Sequence, residues 1–213
     1  EDKLTHSGIY GVEETVDTVE DWLDYDMNYY IKANFSMLVD IVDAIDGVDV
    51  YSDFEFKSSV ADFYYNEGEN HLSGMAALYF ARERKAFEDE DIERGRNQQK
   101  VLKAMINKTT QSKVILTKYT QLLDAVEDEM QTNMSEKDIS SLVKMQINDM
   151  GKWTINTISI TGTDAYAPTY SMGSQELAVV IPDETSVEAA KQAIHDTMYP
   201  AYTKEKKNKS KTK

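Results

Sequence analysis

HLSGMAALYFARERKAFEDEDIERGRNQQKVL, residues 71–102, holds every arginine of the chain, at 82, 84, 94 and 96, against 19 lysines spread over 213 residues. The two residue types are interchangeable where charge and solubility are all that matters. Arginine's planar fork is preferred where phosphate or carboxylate oxygens must be gripped in pairs. Ser73 is a predicted N-cap for a helix over GMAALYF, and a second, longer helix is predicted from Asp91 to Thr110. If the chain runs extended after Leu78, Arg82 and Arg84 point to one face. Asp91, Arg94 and Gln98 stand at i, i+3 and i+7, one stripe of a helix. Val101, Leu102 and Met105 continue that side. Arg96, about 200° from both Arg94 and Gln98, is turned away, so Arg96→Ala is expected to change little. The result is a polar mouth of three arginines, an aspartate and an amide, backed by apolar surface. Such a mouth suits a diphosphate or sugar phosphate carrying something apolar. A plainer reading stays open. Arg82, Arg84 and Arg94 would neutralise the acidic run EDED at 88–91, and the Val-Leu-Met stripe would be core.

Outward from this stretch, strands and helices alternate. VEETVDTVEDW (12–22) has its apolar residues on one stripe and predicts a helix; NYYIKANF (28–35) predicts a strand. FSMLVDIVDAI (35–45) predicts a helix with Leu38, Ile41, Val42 and Ile45 inward, closed at Asp46-Gly47 by a left-handed residue. VDVYSDFEF (48–56) predicts a strand, and residues 58–71 an irregular excursion. Two helices are expected over 115–130 and 135–150. WTINTISI (153–160) and LAVVIP (177–182) predict strands around a glycine- and tyrosine-rich loop. SVEAAKQAIHDTM (186–198) predicts a closing helix with Ser186 as N-cap. The interleaving gives an α/β (α+β) class, a mixed sheet flanked by helices in a single domain.

Composition narrows the function. Hydrophobic residues make up 41% and aromatic residues 10%, enough for a substantial core. Net charge is −15 and unevenly placed. The last ten residues, KEKKNKSKTK, hold six lysines and one glutamate, a balance of +5, which leaves −20 on residues 1–203. A body that acidic repels nucleic-acid phosphates, so no nucleic-acid partner is expected. The tail, 204–213, reads as a solvated, disordered terminus, with attachment to an anionic surface as the sharper alternative. The absence of cysteine excludes thiol catalysis and cysteine-ligated metals. His6, His71 and His195 have no metal-ligand spacing, and neither a Walker loop nor G-x-S-x-G occurs. The abrupt start at EDKLTHSGIYG suggests a piece of something longer.

The opening stretch also resembles the signature of the LytR-CpsA-Psr proteins of Gram-positive bacteria: L-x-G-x-x-A-L, R-x-R, a variable loop, D-x-x-R, Q-Q. It matches at Leu72, Gly74, Ala77 and Leu78, at Arg82 and Arg84, at Asp91 and Arg94, and at Gln98 and Gln99. NYYIKANFSMLVDIVDAIDGVDV is similar to the family's strand–helix–strand block, and DKLTHSGIYGVEETVDTVEDWL to the segment before it in capsule-type streptococcal members. The resemblance implies membrane-anchored, outward-facing enzymes that transfer a polyprenyl-pyrophosphate-linked glycopolymer, capsule or wall teichoic acid, onto peptidoglycan. Arginines hold the pyrophosphate and the lipid enters an apolar tunnel. It places Asp91 and Arg94 at the reacting centre, and Arg82, Arg84, Arg94, Gln98 and, as a further basic position, Lys3 on the pyrophosphate. It also implies Mg2+ held by an acidic pair on strands upstream of residue 1, a single-pass anchor upstream, and a domain filling 1–203. Without the acidic pair the chain is expected to bind and not to turn over. A non-catalytic envelope protein, or a regulator of the kind labelled transcriptional attenuator, is the alternative. The chain departs from the pattern at Asp46, where many members have a second glycine, and at Asn97, where many have a basic residue.

Overall fold

The computed structural model describes residues 2–110, 112–126, 129–149, 151 and 153–200. The basic tail lies outside them. The chain divides into two compact units, one from residues 1–28 with 156–213 and one from 29–155. Helices and strands are mixed in both, in agreement with the expected class.

The first unit opens with α1 (Leu4–Ser7) and α2 (Val12–Leu23). α2 ends at Asp24, whose φ of 52° is left-handed, a conformation aspartate tolerates better than most residues.

The second unit begins with β1 (Ile31–Lys32), two residues of the predicted strand, paired with β6 (Gln131–Thr132). α3 (Phe35–Ala44) starts where the Asn34 side chain accepts the Met37 N–H at 2.8 Å, satisfying a donor that the first turn leaves open. It ends through two left-handed residues, Asp46 (φ 60°) and Gly47 (φ 80°). Gly47 N–H donates to Val42 O at 2.8 Å, and Lys108 Nζ reaches the Asp46 and Gly47 carbonyls. β2 (Val48–Ser52) alternates as a half-buried strand should, with Val48, Val50 and Ser52 inward. Its antiparallel partner is β5 (Gly68–Leu72), in register Val48↔Leu72 to Ser52↔Gly68. The expected irregular excursion over 58–71 is therefore partly ordered. β3 (Phe56–Lys57) pairs with β4 (Tyr64–Tyr65), and β5 follows, its sheet partner compensating for a sequence poor in strand formers.

α4 (Gly74–Arg82) packs on α3. A Cβ at Gly74 would collide with the Val39 carbonyl oxygen and come within 2.8 Å of Asp43 Oδ2, so only glycine permits this approach. Ser73 makes no side-chain cap. The Gly74 N–H goes instead to Asp43 Oδ1 at 2.7 Å, so α4 is capped from its neighbour. Phe56, Tyr65 and Phe80 form an aromatic cluster with centroids 4.7–5.5 Å apart, on which Val42, Val50 and Val101 close the core. α5 (Glu90–Thr109), α6 (Ser112–Asp124) and α7 (Glu136–Asp149) complete the unit.

The first unit then resumes. WTINTISI is not a strand. The strand lies downstream, β7 (Gly162–Pro168), in the stretch expected to be loop, and pairs over all seven residues with β8 (Glu176–Pro182). The isoleucines at 155, 158 and 160 break phase between 155 and 158 and find no ladder; the segment joined to β8 by residues 169–175 does. The last helix, α8 (Glu184–Met198), is capped by Asp183, not Ser186: Asp183 Oδ2 accepts the Ser186 N–H at 2.9 Å. Asp2 and Ser171 tie the chain's beginning to the β7–β8 turn, with Ser171 N–H on Asp2 Oδ2 at 3.0 Å and His6 Nδ1 on Asp2 Oδ1 at 2.6 Å. Burial pushes the Asp2 carboxyl up, but these hydrogen bonds outweigh it and hold it down to about 2.

Candidate functional site

The R-x-R element sits at the exit of α4. The chain does not run extended after Leu78; the helix continues to Arg82, and only Glu83 takes extended backbone (φ −62°, ψ 136°). Alanine, leucine and phenylalanine sustain the helix, and Glu83 N–H still donates to Tyr79 O at 3.0 Å. Arg82 and Arg84 nevertheless both reach solvent, because Glu83 between them is buried, 1% exposed.

The side chains divide. Arg84 Nε lies 2.7 Å from Glu90 Oε2 and 3.1 Å from Asp91 Oδ1, and Arg94 Nη2 lies 2.9 Å from the same Asp91 oxygen. Asp91 thus bridges the R-x-R element to the first turn of α5. Arg82 turns the other way and lays its guanidinium over the Phe35 ring, 4.8 Å from the centroid. Gln98 is exposed, one turn beyond Arg94. Lys3 precedes α1 in the first unit, its N–H on Asp2 Oδ1. The acid run supplies counter-charge to two of the arginines, as the plainer reading expects. These pairs are half-exposed, so each contributes at most about 1 kcal/mol and exchanges readily with a competing anion.

α5 is phased differently from the expectation. The stripe turned inward is Glu93, Asn97, Val101 and Met105, every fourth residue, whereas Leu102 is 56% exposed. Asp91, Arg94 and Gln98 are not backed by Val101, Leu102 and Met105 as one apolar side. At the polar end of the inward stripe, Glu93 Oε2 receives Arg96 Nη1 at 3.0 Å, and Oε1 lies 3.5 Å from Lys100 Nζ. Lys100 also reaches Asp53 at 2.6 Å, on the turn between β2 and β3. Arg96 is therefore the partner of a buried carboxylate. Sequence reasoning missed Glu93 and Asn97, although their spacing from Val101 and Met105 carried the signal.

It also missed Glu83, for which no spacing rule speaks. Its Oε2 accepts the Ser59 N–H at 2.7 Å, and its Oε1 accepts those of Arg84 at 3.0 Å and Ala86 at 3.2 Å. Burial pushes this carboxyl up, but the hydrogen bonds from Ser59, Arg84 and Ala86 outweigh it and hold it below the ordinary range. Among the described residues no group of three or more metal-ligating side chains occurs. Glu90 and Asp91 face Arg84 and Arg94, whose charge opposes a cation there, so these carboxylates do not fit the expected Mg2+.

The sequence model of the LytR_cpsA_psr family matches residues 1–193. Over 191 residues the chain is 29% identical to TagV of Bacillus subtilis (strain 168), a polyisoprenyl-teichoic acid–peptidoglycan teichoic acid transferase, covering 87% of the chain and 47% of TagV. TagU of Bacillus cereus (strain AH820), with the same named activity, is 37% identical over 144 residues, 67% of the chain and 46% of TagU. The chain spans about half the length of these curated relatives. The crystal structure of B. subtilis TagV superposes with a TM-score of 0.70 at 28% identity, over 91% of this chain and 73% of that one. A structure of TagT bound to LI-WTA gives 0.69 at 25% identity, over 92% and 70%.

Proposed function

The chain belongs to the LytR-CpsA-Psr family, and we propose that it carries the lipid-diphosphate grip of an enzyme that transfers a polyprenyl-pyrophosphate-linked glycopolymer, wall teichoic acid or capsule, to peptidoglycan. The observation that carries this reading is the convergence of Arg84 and Arg94 on one oxygen of Asp91. Two guanidinium groups, one from the turn leaving α4 and one from α5, already share one anionic centre, and the anion there is held by exposed contacts. A diphosphate, with more charge and more acceptor oxygens than a carboxylate, replaces Glu90 on Arg84 and is gripped from two sides. When the acceptor attacks, negative charge builds on the leaving phosphate, and fixed cations beside it stabilise that charge more than the ground state. Asp91 orients both arginines, Gln98 adds a donor one turn along α5, and Arg82 is a further cationic contact. In the cell the site faces outward at the membrane, held by a single-pass anchor of the whole protein. Mg2+ serves the whole enzyme.

The test is calorimetric titration of farnesyl diphosphate into the chain at fixed salt, beside duplex DNA. Binding of the diphosphate and none of DNA at physiological salt is the expected outcome. Tight DNA binding with a steep salt dependence would overturn the reading in favour of a regulator.

A further inference from the structure

We propose that Glu83 is a positioning residue that aims Arg84, and through it the arginine pair, at a diphosphate; the proposal rests on the lipid-diphosphate reading of the site. Glu83 is the buried residue between two exposed arginines, and its carboxylate does not pair with either guanidinium. Both oxygens are spent on backbone N–H groups. Oε1 takes the amides of Arg84 and Ala86, which fixes the turn leaving α4. That turn is closed by Phe87 N–H on Arg84 O at 3.3 Å. Oε2 takes the Ser59 amide, which ties the turn to the chain just after β3.

The physical need is clear from the exit geometry. After Arg82 the helix stops, and the extended backbone at Glu83 carries Arg84 to Glu90 and Asp91. Without an anchor this segment could place the Arg84 fork over a wide arc, and ordering it would be charged against ligand affinity. A carboxylate accepting three amides removes that freedom before the ligand arrives. Neutral glutamine cannot do the same. It offers one acceptor oxygen, and its NH2 would face the amides at the other end.

The measurement is the preference of the chain for farnesyl diphosphate over farnesyl monophosphate, taken calorimetrically below each variant's unfolding temperature. Two aimed arginines are needed for that preference, and general folding damage leaves the ratio unmoved. Glu83→Gln is expected to cut it about tenfold, the scale of one lost hydrogen bond to a charged group. Ser59→Pro keeps Glu83 and removes only the Oε2 anchor; it should lower the preference in the same direction, and it stands in if Glu83→Gln does not fold. If both variants are less stable but keep the wild-type ratio, Glu83 is a structural residue only and the proposal is wrong, while the site reading stands. If the wild-type chain shows no diphosphate preference and Arg84→Ala changes nothing, the site reading fails and takes the proposal with it.

Discussion

Two ion pairs on α5 have the same sequence form and opposite surroundings. Arg94 meets Asp91 and Arg96 meets Glu93, each at i,i+3, yet Asp91 is 59% exposed and Glu93 only 5%. Helical pitch sets the two carboxylates about 200° apart, so one faces solvent with Arg84 beside it and the other faces the β2–β3 turn. Water decides what each pair is for. An exposed pair is weak and exchangeable, as a ligand site requires. A carboxylate taken out of water must keep its cations, and so it fastens the helix.

The sharpest way to break this comparison is to strip the buried side. Arg96→Ala with Lys100→Ala leaves Glu93 without a cation, and urea unfolding should show a loss of about 3 kcal/mol. A loss no larger than that of an exposed pair would show that Glu93 is hydrated and the contrast false. Removal of Arg96 alone should leave diphosphate affinity nearly unchanged, as expected from sequence, but should lower stability through Glu93.

The exposed side should respond the other way. Arg94→Ala is expected to cost about 1.5–3 kcal/mol of farnesyl diphosphate affinity, the scale of a hydrogen bond to a charged group, by calorimetry at fixed salt. Its unfolding midpoint should shift by the equivalent of less than about 1 kcal/mol. Arg94→Lys should bind nearly as poorly, because an ammonium keeps the charge and loses the fork. Rescue by lysine would return the cluster to simple charge balance with the acid run.

Acid should sharpen the distinction among the carboxylates, with a smaller effect. The folded Glu83 carboxyl lies below its ordinary value of 4.5, because the hydrogen bonds outweigh burial. Its contribution to stability is therefore complete above that value and is lost as pH falls through the lower folded one. Wild type and Glu83→Gln should show unfolding midpoints that are furthest apart near neutrality and converge below pH 4.5. A gap that stays constant into acid would mean that Glu83 is not ionised in the fold.

What could be read from sequence divides along the same physical line. Apolar spacing located α2, α3 and α5 within a residue or two, since it reports a buried face directly. Arginines 82, 84 and 94 stood out by composition, and two of them do meet at Asp91. What stayed illegible depends on partners distant in sequence. GENHL becomes a strand only because VDVYS lies beside it, and Gly74 is capped by Asp43, 31 residues away. The inward phase of α5 was misjudged because its stripe begins with Glu93 and Asn97, polar residues that an apolar count passes over.

The smallest effect is expected at Asp46, where many family members have glycine. The backbone there is left-handed, φ 60°, at the close of α3, and a Cβ in that conformation costs roughly 1–2 kcal/mol, less for aspartate than for most residues. Glycine removes the cost but also removes the carboxylate that Lys118 Nζ meets at 3.0 Å. That pair is 74% exposed on the aspartate side, so its loss returns only about 0.2–1 kcal/mol. The two terms nearly cancel, and relief of the backbone should win slightly. Asp46→Gly is therefore expected to raise stability by about 0.5 kcal/mol in urea unfolding and to leave farnesyl diphosphate affinity unchanged. Lys118→Ala separates the terms. It should destabilise the wild type a little and Asp46→Gly not at all. An Asp46→Gly chain clearly less stable than wild type would show that the ion pair, not the backbone, closes α3.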